Sequence, residues 1–293
     1  MSIFKGVGVA LVTPMNEKGI DYTEFGKLID HTINGGVSAL IVGGTTGEPS
    51  TMTKEERVEM FRWAVKYTNK RVPVIIGTGS NDTKTAIEMS VIAEKEGADG
   101  LLVVTPYYNK CTQKGLIAHY TAIADAVNIP MILYNVPSRT GVRIASTTAV
   151  ELAKHKNIVA IKDASDVLDD LLLMCRDCYG KLDIYSGNDS YTTLLMALGA
   201  KGVISVVANV VPDRMSAITN ACLAGDYITA RELAYKLDPL AKALFCEVNP
   251  IPTKKALEFI GIKAGKPRLP LTELEPAHAE MLKKVMQDLE IIK

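Results

Sequence analysis

Short apolar runs recur along the chain and alternate with segments of helical periodicity. The eight runs cover residues 7–12, 39–42, 74–76, 101–104, 131–134, 158–161, 182–185 and 203–207. Between them, apolar side chains recur every three or four residues, as at Ile87, Val91 and Ile92. Eight strands that alternate with helices predict a closed (β/α)8 barrel. An open doubly wound sheet is less favoured, because the chain has neither a complete dinucleotide-binding glycine turn nor a phosphate-binding loop.

The pattern changes after Gly225, where the apolar strands stop. Residues 226–245, 253–260 and 274–292 show helical periodicity with no strand between them. Residues 249–252 contain two prolines, which remove backbone donors and predict a loop. We therefore expect a (β/α)8 barrel over residues 1–224 and a small C-terminal helical domain over residues 225–293.

Helix boundaries are marked in the sequence as well. Thr53 and Glu56 have the spacing of a capping box, which predicts a helix start. The pair Gly35-Gly36 and the single Gly97 each follow a helical stretch, where a glycine ends a helix in the left-handed conformation without strain. These markers agree with the barrel prediction.

Composition narrows the class of protein. The chain has 293 residues, of which 47% are hydrophobic and 23% are charged, as in a globular protein with ample core. Lys+Arg and Asp+Glu number 33 each, so no net field attracts nucleic acid or an anionic membrane. No apolar run reaches the length of a membrane span, and the short apolar N-terminus predicts a strand. Five cysteines in a chain with this much core favour the reducing cytoplasm.

The carboxyl ends of the predicted strands are where a barrel of this kind carries its site. The segments there are Thr13-Pro14, residues 43–48, 77–81, 105–109 and 135–141, Lys162-Asp163, residues 186–189 and Ser205. They are rich in hydroxyl groups and glycine and contain few carboxylates. Lys162 is the lysine that closes an apolar strand, so it is the first candidate for chemistry.

Lys162 follows the run Ile158-Val159-Ala160-Ile161. Alternation along a strand predicts that Lys162 shares a face with Ile158 and Ala160, while Val159 and Ile161 face the other way. Such a lysine can snorkel, covering apolar surface with its stem while its ammonium reaches solvent or an acid. Alternatively, partial desolvation favours a neutral amine, which attacks a carbonyl and forms a Schiff base. The iminium then withdraws electrons and lets a proton leave the adjacent carbon, without a metal.

Other strand-end side chains suit the same chemistry, although each has a plainer interpretation. Tyr134 can carry protons through its hydroxyl, or it can be a packed aromatic. Thr45, Thr46 and Tyr108 can extend a proton relay, but paired threonines beside glycines are also common in turns. The planar guanidinium of Arg139 suits a substrate carboxylate, or it can be a surface cation. Their clustering at strand ends favours the functional interpretation.

Metal and cofactor chemistry has little support in the sequence. The histidines are His31, His119, His155 and His278, with no metal-binding spacing between them. Cys175 and Cys178 lie in a helical pattern with no second pair, so core packing is the simpler interpretation. We see no phosphate cup with a ring-nitrogen partner for pyridoxal phosphate. We therefore expect no metal and no cofactor.

Five motifs together resemble those of the 4-hydroxy-tetrahydrodipicolinate synthases, also called dihydrodipicolinate synthases. The motifs are Gly44-Thr45-Thr46-Gly47-Glu48, Thr105-Pro106-Tyr107-Tyr108-Asn109, residues 134–141 (YNVPSRTG), Ile161-Lys162 and Gly202-Val203-Ile204-Ser205. The likeness runs from Thr13-Pro14 to Asn249-Pro250. It implies a condensation of pyruvate with aspartate 4-semialdehyde, in lysine biosynthesis through diaminopimelate.

The resemblance also implies roles for individual residues. Lys162 would form the pyruvate Schiff base, Tyr134 would carry protons, and Thr45 with Tyr108 would complete the relay. In this family the tyrosine that matches Tyr108 comes from a neighbouring subunit, and most members are tetramers, formed as dimers of dimers. The residues implied in substrate binding are Thr46, Arg139, Gly187 and the backbone at Ile204.

Two alternative functions stay open at this point. N-acetylneuraminate lyases and other 2-keto-acid aldolases share the barrel and the lysine. Thr45 and Arg139 favour the synthase, because lyases typically have Gly-Ser-Thr-Gly-Glu in the first motif and lack the Ser-Arg-Thr-Gly run. A non-catalytic binding barrel is the other alternative, but it has no need for a strand-end amine.

One departure from the family concerns regulation by lysine. Relatives inhibited by lysine line an allosteric pocket with Ser, His, His and Glu, where this chain has Pro49, Lys54, Arg57 and Thr85. Asn81 and Tyr107 of that pocket are kept. An ammonium ligand would lose a carboxylate and meet added positive charge. We therefore expect weak or absent inhibition by lysine.

Overall fold

The computed structural model describes residues 2–293 and contains a closed barrel of eight parallel strands. The strands are β1 (Gly6–Ala10), β2 (Ala39–Val42), β3 (Val74–Gly77), β4 (Gly100–Val104), β5 (Met131–Asn135), β6 (Ile158–Asp163), β7 (Asp183–Ser186) and β8 (Gly202–Ser205). Each strand pairs with the next along the chain, and β8 pairs with β1. The predicted (β/α)8 fold class is therefore confirmed.

Helices surround the barrel and continue after it. They are α1 (Tyr22–Asn34), α2 (Lys54–Thr68), α3 (Thr83–Lys95), α4 (Gln113–Asp125), α5 (Pro137–Thr140), α6 (Ser146–Leu152), α7 (Leu168–Cys178), α8 (Thr192–Ala197), α9 (Pro212–Leu223), α10 (Tyr227–Ala243), α11 (Ile251–Phe259) and α12 (Pro276–Asp288). The Thr53–Glu56 capping box is present at the start of α2. Gly36 and Gly97 adopt φ values of 87° and 91°, as expected after helix ends. Within residues 2–293, no helix is both long and apolar enough to cross a membrane.

The apolar side chains form two separate cores. Inside the barrel, Ile41, Ile75 and Ile132 pack in layers from neighbouring strands. At one end of this inner core, the Phe4 ring stacks on Tyr185 at 4.2 Å, and the Tyr185 hydroxyl donates to the Phe4 carbonyl at 2.7 Å. The larger outer core lies between the strands and the helices. Because Phe4 precedes β1, this stack closes the amino-terminal end of the barrel and leaves the other end for the site.

The C-terminal helices α10, α11 and α12 follow the last strand, as the sequence predicts. The predicted loop at residues 249–252 is wrong in its second half, because α11 already begins at Ile251. Pro252 is tolerated there because the first turn of a helix has no internal partner for its backbone donors. The boundary at residues 224 and 225 stays a prediction.

Candidate active site

Lys162 lies at the carboxyl end of β6 and is only 5% exposed. Across the strand pairing it is the register partner of Tyr134 on β5. The Lys162 Nζ lies 4.3 Å from the centroid of the Tyr134 ring, so the ring face stabilises the ammonium. Among residues 2–293, no carboxylate lies within 4.0 Å of this Nζ. The site therefore holds a buried amine outside any ion pair, with Asp189 farther away in the same cavity.

The predicted alternation along β6 is only partly right. Ala160 lines the barrel interior and Ile161 packs in the outer core, as expected. Ile158, however, packs in the outer core, and Val159 packs against the inner one. The pairing with β5 skips Val159, since Met131 pairs with Ile158 and Ile132 pairs with Ala160. This bulge adds one residue to β6, which reverses the faces of Ile158 and Val159.

A cavity of about 400 Å³ at the strand ends brings six of the eight predicted residues together. These residues are Thr45, Thr46, Tyr134, Arg139, Lys162 and Gly187. A second cavity, of about 350 Å³, adjoins it and shares Thr45, Tyr134 and Arg139. Residues from four different strand ends thus line one space, as in other barrels whose sites lie at the carboxyl ends of the strands.

Two predicted residues lie outside that cavity. Ile204 is 1% exposed and packs in the inner core, so only its backbone is close to the cavity residue Val206. Tyr108 is 91% exposed and adopts φ 73°, a conformation that is unfavourable for a bulky residue. Within this one chain, the Tyr108 side chain has no contact with the Lys162 cavity.

The threonines lie in a single 3₁₀ turn, Thr45–Gly47, that follows β2. Thr13 Oγ1 donates to the Gly47 carbonyl at 2.8 Å and ties this turn to the end of β1. Thr45 is half-buried, whereas Thr46 is buried and accepts a hydrogen bond from Asn249 Nδ2 at 2.9 Å. The Thr45 hydroxyl is thus free to face the cavity that also contains Tyr134.

Arg139 lies on α5, a single helical turn in the strand-end segment that follows β5. Gly141 ends this turn with φ 69°. The Arg139 guanidinium is exposed, and its Nη2 donates to the Asn249 carbonyl at 3.4 Å. No carboxylate within residues 2–293 forms an ion pair with Arg139. The Arg139 guanidinium can therefore still bind a substrate carboxylate through two parallel N–H groups.

Gly187 follows β7 where two strand ends come close together. Its backbone N–H donates to the Asp163 carbonyl at 2.6 Å. A Cβ at this position would lie 2.6 Å from the Ala164 Cβ, which is a severe clash. A side chain at position 187 would therefore push β6 and β7 apart beside Lys162.

Sequence reasoning missed the role of Asp189, although it lies in one of the strand-end segments. Ser205 Oγ donates to Asp189 Oδ1, and the Val206 and Val207 backbone N–H groups donate to Oδ2 at 3.0 and 3.3 Å. Burial raises the pKa of Asp189, while these hydrogen bonds oppose the shift. The carboxylate fixes the turn after β8, next to the Ile204 backbone.

Asp163, which has no role in the sequence analysis, is a buried carboxylate on the outer face of β6. Its Oδ1 accepts from Asn135 Nδ2 at 3.1 Å and from the Ser165 backbone N–H at 2.8 Å. Its Oδ2 is buried without a hydrogen-bond partner in the described residues. Burial raises the pKa of Asp163 to about 6. The Asn135 bond joins the ends of β5 and β6, which carry Tyr134 and Lys162.

The C-terminal helices are anchored next to the threonine turn by a buried ion pair. Lys254 Nζ lies 2.6 Å from Glu48 Oε1, and both side chains are almost fully buried. Glu48 Oε2 accepts the Arg268 backbone N–H at 3.0 Å, and the Arg268 guanidinium pairs with Glu56 at 2.6 Å. Residues that are far apart in the chain thus hold the segment that carries Asn249.

No arrangement for a metal is present in the described part of the chain: residues 2–293 contain no group of three or more His, Cys, Asp or Glu that could hold an ion. Cys175 and Cys178 are buried on α7, where the Cys178 and Met174 sulfurs are 3.5 Å apart. The amine of Lys162 is the candidate nucleophile among the residues that line the cavity. The fold and the site define a class: a (β/α)8 barrel whose buried lysine suits carbonyl chemistry.

Comparison with known proteins places the chain within that class. A sequence profile of the Dihydrodipicolinate synthetase family matches residues 3–289. The 4-hydroxy-tetrahydrodipicolinate synthase of Lachnoclostridium phytofermentans is 50% identical over 294 residues, which cover 100% of both chains. The chain belongs to the dihydrodipicolinate synthetase family, as the resemblance of its motifs indicates.

Solved structures agree with this assignment. The dihydrodipicolinate synthase from Aquifex aeolicus is 44% identical with a TM-score of 0.96, and the match covers 98% of this chain and 99% of that one. A structure described as the first monomeric dihydrodipicolinate synthase variant is 39% identical with a TM-score of 0.97, covering 99% of this chain and 98% of that one. The barrel and the C-terminal helices are therefore shared across their full length.

Proposed function

We propose that the chain condenses pyruvate with L-aspartate 4-semialdehyde to give 4-hydroxy-tetrahydrodipicolinate, in lysine biosynthesis through diaminopimelate. Membership of the family and the names of its relatives support this function. The observation that carries it is the buried Lys162 amine, 4.3 Å from the Tyr134 ring centroid and with no carboxylate of residues 2–293 within 4.0 Å. The protein is accordingly a lyase that needs only the covalent imine on Lys162.

The proposed reaction begins when the neutral Lys162 amine attacks the ketone carbon of pyruvate. Loss of water gives the iminium, which withdraws electrons so that a methyl proton leaves and an enamine forms. The enamine carbon attacks the aldehyde carbon of the semialdehyde and forms the new carbon–carbon bond. The amino group of the semialdehyde then displaces Lys162 from the imine, closes the ring and restores the free amine. One water is released per product.

Proton transfer is assigned to the hydroxyl groups around the amine. Tyr134 is the register neighbour of Lys162 and would protonate and deprotonate the carbonyl oxygen and the methyl carbon. Thr45 lines the same cavity and would pass protons to Tyr134. Tyr108 is 91% exposed, which supports the proposal that it completes the relay of a neighbouring subunit instead of its own.

Substrate binding is assigned to the remaining residues of the site. Thr46 and the backbone at Ile204 would hold pyruvate, and Gly187 would contribute its backbone near the imine. Thr46 and Gly187 both line the Lys162 cavity. Arg139 would bind the carboxylate of the semialdehyde through its fork, since no carboxylate of residues 2–293 forms an ion pair with it. Its bond to the Asn249 carbonyl would keep the guanidinium over the cavity.

We also propose that the chain forms a tetramer, as a dimer of dimers, in the cytoplasm. Support comes from an apolar strip on the outer face of α7 and just before it, where Val167, Leu168, Leu172 and Leu173 are 53%, 52%, 40% and 40% exposed. The five free cysteines fit a reducing compartment. Because one solved relative is described as a monomeric variant, sedimentation velocity should measure the oligomeric state directly.

Inhibition by lysine is proposed to be weak or absent. Arg57 lines the cavity that adjoins the site, and burial lowers the pKa of its guanidinium. Lys54 forms an ion pair with Glu88, so Arg57 carries most of the added positive charge. Thr85 supplies no carboxylate for an ammonium ligand. Strong inhibition by micromolar lysine in a coupled assay would refute this proposal.

Acceptor specificity tests the proposed function against the lyase alternative. With pyruvate present, we expect turnover with aspartate semialdehyde and none with N-acetylmannosamine, because the Arg139 fork matches a carboxylate and a polyol has none. Arg139→Met should raise the KM for the semialdehyde with a smaller change for pyruvate. Turnover with N-acetylmannosamine, or no turnover with either acceptor, would contradict the proposal.

A further inference from the structure

Another cavity, of about 580 Å³, is separate from the two at the site and lies at the opposite end of the barrel from Lys162. Its walls are the loops that enter the strands: residues 153–156 before β6, residues 179–182 before β7, and residues 198–201 before β8. Ser2 and Lys5, which precede β1, also line it, together with residues of β6, α7 and β7. Its volume is within the ~300–1,000 Å³ range of small-molecule sites. We call this space the basal cavity.

The basal cavity is strongly basic in a chain whose total charge is balanced. Its lysines are Lys5, Lys156, Lys181 and Lys201, and its single carboxylate is Asp183. The whole chain, by contrast, has 33 basic and 33 acidic residues. Lysines from four separate segments therefore converge on one space, and their mutual repulsion is not relieved by an equal number of acids.

Most of these ammonium groups have no ion-pair partner. Within residues 2–293, no carboxylate lies within 4.0 Å of the Nζ atoms of Lys5, Lys156 or Lys201. Lys181 donates only to a backbone carbonyl, that of Asp177, at 2.8 Å. The charges of the basal cavity are thus available to a ligand.

The histidine of the basal cavity does not add to this charge. His155 Nδ1 accepts the Asn157 backbone N–H at 3.1 Å, so this nitrogen carries no proton. Nε2 lies 3.0 Å from Asp125 Oδ1, so any charge on this ring is matched by that carboxylate. The excess of about three positive charges therefore comes from lysine, which binds phosphate as a point charge.

We propose that the basal cavity binds a polyphosphate group, as in inorganic tripolyphosphate or a nucleoside triphosphate. A chain of phosphates brings several negative charges close together, which matches four lysines around one space better than a single carboxylate does. Tyr179 is 78% exposed and forms part of the wall with Leu198. Its ring offers a face on which a nucleobase could stack.

The test measures binding of inorganic tripolyphosphate to the full chain by calorimetry, at an ionic strength of about 0.15 M that screens diffuse charge. The site variant is Lys156→Met/Lys201→Met. The matched control is Lys66→Met/Lys283→Met, which removes the same charge from exposed helix positions. We expect saturable binding that weakens at least about tenfold in the site variant and less than about twofold in the control.

ATP in place of tripolyphosphate separates the two sources of the phosphate group. Tighter binding of ATP, with the gain lost in Tyr179→Ala, would identify a nucleotide ligand; equal binding of both would identify the phosphates alone. Thermal unfolding of each variant shows that the fold is intact. Absence of saturable binding, or equal weakening in the site and control variants, would overturn the proposal. The readout is binding, so it is independent of the proposed condensation.

Discussion

Two lysines of this protein are almost equally buried, but their ammonium groups contact different side chains. Lys162 is 5% exposed and Lys254 is 3% exposed. Lys254 lies 2.6 Å from the Glu48 carboxylate and also donates to the Lys266 carbonyl at 3.3 Å. Lys162 has an aromatic ring face and, within residues 2–293, no acid in salt-bridge range. Burial by itself therefore does not distinguish a reactive lysine from a structural one.

This difference indicates that the group next to the ammonium decides whether a buried lysine is structural or reactive. Burial lowers the pKa of Lys254, whereas Glu48 raises it and keeps the proton in place. A paired ammonium of this kind cannot attack a carbonyl, because its lone pair is occupied. Lys162 shares its cavity with Asp166 and Asp189, but no carboxylate lies in salt-bridge range of its amine, so the amine is not held in an ion pair and can act as a nucleophile. The predictions below separate the chemical role of Lys162 from the structural role of Lys254.

Replacing Lys162 should abolish the reaction without unfolding the protein. Lys162→Arg keeps the charge but removes the amine nucleophile, so kcat should fall by at least about 1,000-fold. The thermal midpoint should stay the same or rise, because no ion pair is lost. Steady-state kinetics with pyruvate and aspartate semialdehyde give kcat, and calorimetry gives the midpoint. Retention of more than a tenth of the activity would contradict the nucleophile assignment.

Replacing Lys254, by contrast, should lower the stability of the protein. Lys254→Met leaves the buried Glu48 carboxylate without its cation, and the cost should be about 3–5 kcal/mol of unfolding free energy. Lys255→Met is the matched control: its partner Glu258 is exposed, so the loss should stay below about 1 kcal/mol. Denaturant unfolding measures both.

Adding Glu48→Gln to Lys254→Met sharpens this result. The double variant no longer buries a lone charge, so it should regain part of the lost stability. A double variant as unstable as Lys254→Met, or a Lys254→Met protein as stable as its control, would remove the structural assignment.

Tyr134→Phe should leave the ring over Lys162 and delete only the hydroxyl. Loss of a proton carrier should lower kcat by about 100-fold or more, while imine formation with pyruvate should slow but still reach completion. Single-turnover measurements separate the two steps. If kcat falls less than about threefold, the proton relay does not pass through Tyr134.

Asp163, the residue after Lys162, should have a smaller effect on the free energy of unfolding, and this effect should depend on pH. The pKa of Asp163 is about 6 in the folded protein, against an ordinary value of 3.8. Between pH ~4 and pH ~6, the carboxyl is therefore protonated in the folded chain and ionised in the unfolded chain. Its contribution is therefore fully present below pH ~4 and is lost as the pH rises through ~6. Asp163→Asn should gain about 2 kcal/mol more, relative to the parent, at pH ~7.5 than at pH ~4.5.

The groups that face Asp163 are Asp170, which raises its pKa, and Arg143, which lowers it. Because both groups are present in the parent and in the Asn variant, the difference between the two proteins reports mainly on Asp163. Asp288→Asn, at an exposed position, is the control and should show no such difference. Unfolding free energies of the three proteins at the two pH values are the measurement; an equal gain at both would show that Asp163 ionises normally.

The sequence predicts the barrel and much of the site because both follow from local patterns. Each strand is an apolar run, and the residues just after it must lie at the carboxyl end of the barrel. Thr45, Tyr134, Arg139, Lys162 and Gly187 are therefore placed together from spacing alone. The bulge at Val159 escaped prediction because one extra apolar residue in an apolar run leaves no mark on the hydrophobic pattern.

Contacts between residues that are far apart in the chain could not be predicted either. Glu48 and Lys254 are far apart in sequence, and nothing in either segment indicates the partner. Asn249 was predicted only as part of a loop, although it donates to Thr46 and accepts from Arg139. Asp189 supports the turn after β8 through backbone N–H groups, which no side-chain pattern reveals. Such contacts depend on the packing of the C-terminal helices and the loops, which local periodicity does not determine.

Trapping the imine tests the central claim most directly. The protein is incubated with pyruvate and sodium borohydride, digested, and mapped by peptide mass spectrometry. We predict one pyruvate-derived adduct, on Lys162, while the equally buried Lys254 stays unmodified and Lys162→Arg gives no adduct. An adduct on Lys254 or another lysine, or no adduct at all, would contradict the account.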